Sequence, residues 1–118
     1  MLRPALALAL IATLHSGCVR YNIRSDGVSQ AALGQTLQVG GRNVTPLAVV
    51  EDSRCPTGTQ CVWAGRVRLS ARIDGQRREL TLGQPDPGGV ELAWVAPAKR
   101  ANESIFEEQY RFGFRAAK

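Results

Sequence analysis

The sequence predicts an all-β fold: a small antiparallel β-sandwich of immunoglobulin-like size, or a partly open barrel, with one disulfide. Two observations predict it. Apolar residues recur at every second position through most of the chain, which is the period of a strand rather than of a helix. Cys55 and Cys61 bracket a short loop, where a disulfide would stabilise a domain of this size.

The first two predicted strands cover residues 36–39 and 44–52. They flank Gly40-Gly41, which suits a tight turn. Pro46 lies within the second strand and has no N–H to donate to a neighbouring strand. It therefore predicts either an edge strand or a β-bulge at that position.

A β-hairpin over residues 66–82 has the clearest pattern in the chain. Apolar and polar residues alternate along its first strand, and Asp74-Gly75 suits a two-residue turn because both positions accept a positive φ. With that turn Leu69 lies opposite Leu80 on one face, so the apolar pattern and the strand register agree.

Two further strands are predicted after a Gly- and Pro-rich loop at residues 83–89. One has apolar residues on a single face: Val90, Leu92 and Trp94. A polar segment, 97–104, leads to a last strand with an inward aromatic stripe: Tyr110, Phe112 and Phe114. About six strands and no convincing helical period support the all-β class.

The N-terminus predicts export. Arg3 precedes ten mostly apolar residues, 5–14. As a helix these would rise about 15 Å, half of the roughly 30 Å hydrocarbon core of a bilayer. Residues 1–17 are therefore predicted to be a signal peptide rather than a spanning helix.

The segment His15-Ser16-Gly17-Cys18 resembles the lipobox of bacterial lipoproteins, in which a small residue precedes a cysteine that becomes acylated. His15 occupies the position usually held by Leu, and an ordinary signal peptide is the alternative. The resemblance implies a lipid on Cys18, and Val19 in place of Asp implies the outer membrane, facing the periplasm. Residues 18–34 are then expected to form a lipid-anchored tether, and 35–118 the β domain.

No constellation in the sequence indicates catalysis, a metal or a cofactor. The only histidine, His15, lies in the predicted signal peptide, which excludes histidine-based triads and zinc sites. Glu51 and Asp52 are neighbours on a strand, so they point to opposite faces and cannot share a substrate. The spacing of Cys55 and Cys61 favours a structural disulfide over a redox or metal site. We expect a protein that is not an enzyme.

The chain is basic, with a formal net charge of +5. This charge suits an anionic component of the cell envelope, and export excludes nucleic acid as a partner. Arg66, Arg68 and Arg72 form an outward row on the hairpin, near Arg77 and Arg78. Guanidinium groups suit phosphate and carboxylate. The alternative is a solvated strand face whose charge resists edge pairing.

Residues 51–65 have the most specific motif: Asp-Ser-Arg-Cys-Pro, a second cysteine, and then Trp-Ala-Gly. This motif resembles that of a family of uncharacterised small exported bacterial lipoproteins, and the resemblance extends loosely over most of the β domain. The family carries no established activity, so the resemblance implies export and a small β domain.

Two roles are open for the Cys55–Cys61 loop. Trp63 either covers one end of the core at a structural corner, or it is an exposed binding anchor on a rigid loop, with Arg54 contributing. Arg54 can equally pair with Glu51 or Asp52.

The sequence thus predicts a non-catalytic envelope lipoprotein, without cofactor, that has a structural or binding role. Its expected partners are the membrane and an anionic envelope component or envelope protein. The alternative is an inhibitor of an envelope-targeting hydrolase that presents the Cys55–Cys61 loop. An exposed loop would favour the inhibitor, and a loop packed under Trp63 would favour the structural role.

Overall fold

The computed structural model describes residues 27–117, so the predicted signal peptide and Cys18 lie outside the described residues. Seven strands and one short 3₁₀ turn follow in chain order: β1 (Ser29–Ala31), β2 (Leu37–Val39), β3 (Arg42–Asp52), β4 (Val67–Ile73), β5 (Gln76–Thr81), β6 (Val90–Ala96), the 3₁₀ turn (Glu107–Gln109) and β7 (Arg111–Ala116). No helix within this part of the chain has the length and apolar character needed to cross a membrane.

The strands form two antiparallel sheets, which confirms the predicted all-β class. One sheet has the order β1-β7-β6 and the other β2-β3-β4-β5, and the described strands do not close into a barrel. Both sheets contribute to one core, whose largest fully buried side chains are Phe112, Phe114, Leu69, Leu80 and Leu92. Burying each of these contributes about 1.5–3 kcal/mol, so the core is the main source of stability.

The predicted hairpin is present as β4 and β5. Asp74 and Gly75 have φ values of 49° and 82°, as a two-residue turn requires. Leu69 lies opposite Leu80, which confirms the predicted register.

Pro46 lies at a bulge on a central strand rather than on an edge strand. It is opposite Ala71, whereas Ala48 is opposite Ser70, so Leu47 is an extra residue in β3. The carbonyl of Pro46 accepts a hydrogen bond from the Gly34 N–H at 2.7 Å. Of the two alternatives for Pro46, the bulge is correct.

A second bulge in β3 controls which way its last residues point. The pairing shifts between Val49 and Glu51. As a result Asp52 is opposite the buried Val67 and faces inward, while Glu51 is opposite Arg68 on the outer face. Glu51 and Asp52 therefore belong to different surfaces of the molecule.

The expected alternation along β6 is wrong at Trp94. The pairing with β7 shifts between Leu92 and Trp94, so Val95 rather than Trp94 lies opposite the buried Phe112. Trp94 is instead opposite Gly113, and a Cβ atom on Gly113 would overlap the indole ring. The glycine provides the space in which Trp94 packs on the outer face of the sheet.

The β domain begins earlier than residue 35. Residues 29–31, which the sequence assigned to the tether, form β1 and pair with β7. Ala31 is almost fully buried and lies opposite Phe112. Three residues are too few to show a strand period, which is why the pattern did not reveal β1.

The sandwich has two distinct ends. We call the end with the Cys55–Cys61 loop the loop end, and the end with the Asp74-Gly75 turn the turn end. Strand β7 runs from the loop end to the turn end, where Ala116 lies against Gly40 in the β2–β3 turn. Because β1 is antiparallel to β7, the chain enters β1 from the turn end.

Candidate functional site

The stapled loop, residues 53–66, connects β3 to β4 at the loop end. The predicted disulfide between Cys55 and Cys61 is present, with the two Cα atoms 5.9 Å apart. The β3–β4 pairing also continues into the loop, because the Ser53 N–H donates to the Arg66 carbonyl at 2.9 Å. The loop is therefore fixed both covalently and by the sheet.

Gly65 brings the two sides of the loop together. Its φ is +72°, and a Cβ atom there would overlap the Ser53 carbonyl. Only glycine accepts this conformation and this close approach without strain. The backbone conformation of the loop therefore requires the glycine of the Trp-Ala-Gly part of the motif.

A second set of contacts joins the stapled loop to the connection between β6 and β7. The backbone N–H and the hydroxyl of Thr57 both donate to the Lys99 carbonyl, at 2.8 and 2.9 Å. The Lys99 Nζ donates to the Asp52 carbonyl at 2.7 Å. The loop is thereby attached to both sheets.

Asp52 and Arg54 form the most buried ion pair among the described residues. The Arg54 Nε and Nη2 donate to the two carboxylate oxygens of Asp52 at 2.8 and 2.9 Å. Arg54 also donates to the carbonyls of Val95 and Pro97, each at 3.1 Å. The Tyr110 hydroxyl donates to Asp52 Oδ2 at 2.9 Å.

These contacts change the acidity of all three side chains. Burial opposes the negative charge of Asp52, but hydrogen bonds from Arg54 and Tyr110 and the charge of Arg54 lower the pKa of Asp52 below its ordinary value. The hydrogen bond to Asp52 raises the pKa of Arg54. Burial and the Asp52 carboxylate raise the pKa of Tyr110 to about 12. The contacts therefore stabilise the ionised forms of Asp52 and Arg54 and the neutral form of Tyr110.

Arg54 is therefore a structural residue. Of the alternatives open for it, pairing with Asp52 is the one present, and its side chain is only 16% exposed. Four hydrogen bonds to Asp52, Val95 and Pro97 occupy its guanidinium. The expectation that Arg54 contributes to a binding surface is not supported.

Trp63 is exposed and does not cover the core. Its exposed fraction is 80%, and that of the preceding Val62 is 93%. Ten consecutive residues, 57–66, are exposed. The interpretation of the loop as a structural corner capped by Trp63 is wrong, because the Asp52–Arg54–Tyr110 cluster occupies the loop end instead.

A shallow, open groove of about 460 Å³ lies beside Trp63. Ser53, Ala64 and Gly65 line it together with Glu51, Trp63 and Arg66. The Arg66 Nε lies 2.5 Å from Glu51 Oε2. Of the five predicted binding residues, only Trp63 and Arg66 meet at this groove.

The other two predicted arginines lie on the outer face of β4. The Arg68 Nε is 2.8 Å from Glu79 Oε1, a close ion pair without the alignment of a hydrogen bond. Arg72 lies directly opposite Arg77 on β5. The sequence prediction that Arg77 lies near this row is confirmed, since the hairpin register places it beside Arg72.

Two contributors to the loop end were missed from the sequence. Tyr110 was predicted only as an aromatic core residue, but its hydroxyl holds Asp52. Lys99 lies in a segment interpreted only as a polar loop. Neither the spacing nor the residue type signals these contacts, which join positions 47 and 58 residues apart.

No group of three or more His, Cys, Asp or Glu side chains in residues 27–117 is arranged to hold a metal ion. No protein-family model, curated protein or solved structure matches the chain.

We predict that Asp52→Asn destabilises the domain by about 3–5 kcal/mol, because it leaves the Arg54 charge buried without its partner. Urea unfolding measures this loss. Glu51→Gln is the matched control, since it breaks the neighbouring but exposed pair with Arg66, which contributes at most about 1 kcal/mol. An equal loss in both variants would contradict a special role for Asp52.

We also predict a fall in stability in alkali that depends on Tyr110. Its pKa is about 12 in the fold and 10.0 in the unfolded chain. The folded state keeps a proton that the unfolded state loses, so this stabilisation is complete below pH 10 and declines as the pH rises towards 12. Urea unfolding over this range should show a decline on the order of 2 kcal/mol.

Tyr110→Phe should remove this alkaline decline, and Tyr21→Phe should keep it. The Tyr21→Phe variant also leaves Tyr110 as the only tyrosine, so its phenolate absorbance reports the pKa directly. Identical alkaline slopes in wild type and Tyr110→Phe would show that Tyr110 does not carry the effect.

Proposed function

We propose that this protein is a non-catalytic envelope lipoprotein, anchored through Cys18, that binds an envelope protein with its stapled loop. One observation carries the proposal: Val62 and Trp63 are exposed at 93% and 80% on a loop that a disulfide and both sheets hold in place. Covalent and polar contacts thus fix the loop, while its largest apolar side chain, that of Trp63, is exposed to solvent.

The physics of binding favours this arrangement. A loop that is already ordered loses little conformational entropy when a partner docks. Tryptophan is the residue type most enriched among the side chains that dominate binding energy. The shallow groove beside Trp63 adds a polar margin through Ser53 and the Glu51–Arg66 pair. An apolar centre with a polar rim is the usual anatomy of a protein interface.

An inhibitor of an envelope-targeting hydrolase is the second candidate function. Its specific support is the same exposure of the stapled loop, because a rigid loop can enter a substrate cleft without being ordered first. The two candidates differ in the partner: an inhibitor requires a hydrolase whose activity falls on binding. A purely structural role for the loop loses its main support, since Trp63 does not pack on the core.

We predict that Trp63→Ala strongly reduces partner capture. Crosslinking and pull-down from the native envelope with the wild-type chain should yield a partner whose recovery falls at least tenfold in this variant, the loss expected when a binding anchor worth about 2 kcal/mol is truncated. Phe106→Ala is the control, because Phe106 is an exposed aromatic residue outside the stapled loop. Its recovery should match that of the wild type.

A disulfide-closed peptide of residues 53–66 should compete with the whole protein for the same partner. If neither Trp63→Ala nor the peptide changes recovery, the stapled loop is not the binding element. If the partner is a hydrolase, its activity with and without the protein separates an inhibitor from a binding protein without inhibitory action.

The lipid anchor has its own test. Metabolic labelling with a fatty acid should mark the wild-type chain and leave Cys18→Ala unlabelled. His15→Leu restores the residue that the lipobox pattern usually has, so this variant should be labelled at least as strongly as the wild type. Label that persists in Cys18→Ala would show that Cys18 is not the acylated residue.

A further inference from the structure

Four of the ten arginines in residues 27–117 have no acidic partner within that range: Arg72, Arg77, Arg100 and Arg111. Two of these four, Arg72 and Arg77, are neighbours. Six ion pairs between Arg and an acidic residue are formed within residues 27–117, and they involve Arg42, Arg54, Arg66, Arg68, Arg78 and Arg115. Arg72 and Arg77 are exposed, and within this range neither guanidinium has a hydrogen bond or an acidic partner. They stand directly opposite each other on β4 and β5.

This juxtaposition has an energetic cost. Opposite residues in an antiparallel pair have Cβ atoms about 4.5–5.5 Å apart, and like charges at that position destabilise the sheet. The acidic groups nearby are already engaged: Glu79 with Arg68, and Asp74 with Arg42. Thr45 lies opposite Arg72 on the other side, so the row across β3, β4 and β5 contains no carboxylate.

We propose that Arg72 and Arg77 together bind the phosphate groups of anionic phospholipids and hold the turn end of the domain against the membrane. Two adjacent guanidinium groups match the charge and the oxygen geometry of a phosphate. An anion between them would also relieve their mutual repulsion. This inference rests on the proposed lipid anchor, which supplies the membrane.

The path of the chain places this pair near the bilayer. Both arginines flank the Asp74-Gly75 turn, and the chain enters β1 from that same turn end. Eleven residue steps separate Cys18 from Ser29, which allows a span of at most about 40 Å. The stapled loop lies beyond Val67, at the other end of β4, and the five residue steps from Val67 to Arg72 alone extend about 17 Å. Membrane contact at the turn end therefore leaves Trp63 facing away from the membrane.

Vesicle binding tests the inference without the lipid anchor. The exported mature chain with Cys18→Ser is mixed with vesicles of phosphatidylcholine, alone or mixed with phosphatidylglycerol. We expect binding only to the anionic vesicles, and a decrease of about 30-fold in Arg72→Gln/Arg77→Gln. The size follows from about 1 kcal/mol per arginine at an anionic surface, with about 1.4 kcal/mol for each tenfold change.

The matched control is Arg66→Gln/Arg100→Gln, which removes two positive charges at the loop end. Its binding should fall by less than about threefold, because these residues face away from the bilayer and are screened beyond a distance of about 10 Å. Equal losses in both double variants would show that only net charge matters, and would overturn the proposal. Wild-type binding that is equally strong with and without phosphatidylglycerol would overturn the proposal as well.

Two further arms complete the test. Thermal unfolding of Arg72→Gln/Arg77→Gln should occur at or above the wild-type temperature, because the variant relieves a like-charge contact. Unfolding at a lower temperature would show that the two arginines make stabilising contacts, which would contradict their unpaired state. Saturable binding of inorganic phosphate without vesicle binding would indicate a soluble ligand and overturn the membrane proposal. Trp63→Ala should bind vesicles like the wild type, so failure here and failure of partner capture are distinguishable.

Discussion

The buried contact between Asp52 and Arg54 is the constraint on which the loop end depends. The carboxylate comes from the end of β3, while Arg54 reaches the carbonyls of Val95 and Pro97 at the end of β6. One ion pair thus fastens the two sheets together where their strands end and the core can no longer do so. Because all the polar groups involved are paired, the desolvation of the charges is offset by the hydrogen bonds that each one makes.

This closure explains how the domain can expose its largest loop side chain. The open end of a sandwich core must be covered by side chains, because exposed apolar surface is unfavourable in water. Here the guanidinium of Arg54 and the ring of Tyr110 occupy that place, so Trp63 is not needed for stability. The two tryptophans consequently have opposite environments: Trp94 packs against Gly113, and Trp63 is surrounded by solvent. A residue that contributes little to folding is available for recognition.

The features that the sequence predicted correctly depend on short-range signals. The Asp74-Gly75 turn fixes the hairpin register, and the Cys55–Cys61 spacing fits a disulfide; both are present. One group of features that escaped prediction follows from single-residue shifts in strand pairing, as at Trp94. The position of a bulge depends on contacts with a neighbouring strand that is distant in the chain. A local pattern of apolar residues therefore does not predict it. The inward turn of Asp52 escaped prediction for the same reason.

The short first strand determines how force would reach the domain. β1 runs lengthwise beside β7, and the chain enters it at the turn end. A pull on the chain before β1 that is directed away from the turn end acts along the strand axis. The β1–β7 hydrogen bonds run across that axis, so the pull loads them in shear, all together, instead of opening them one after another. The β1–β7 pairing therefore resists such a pull with all of its hydrogen bonds at once, although β1 has only three residues.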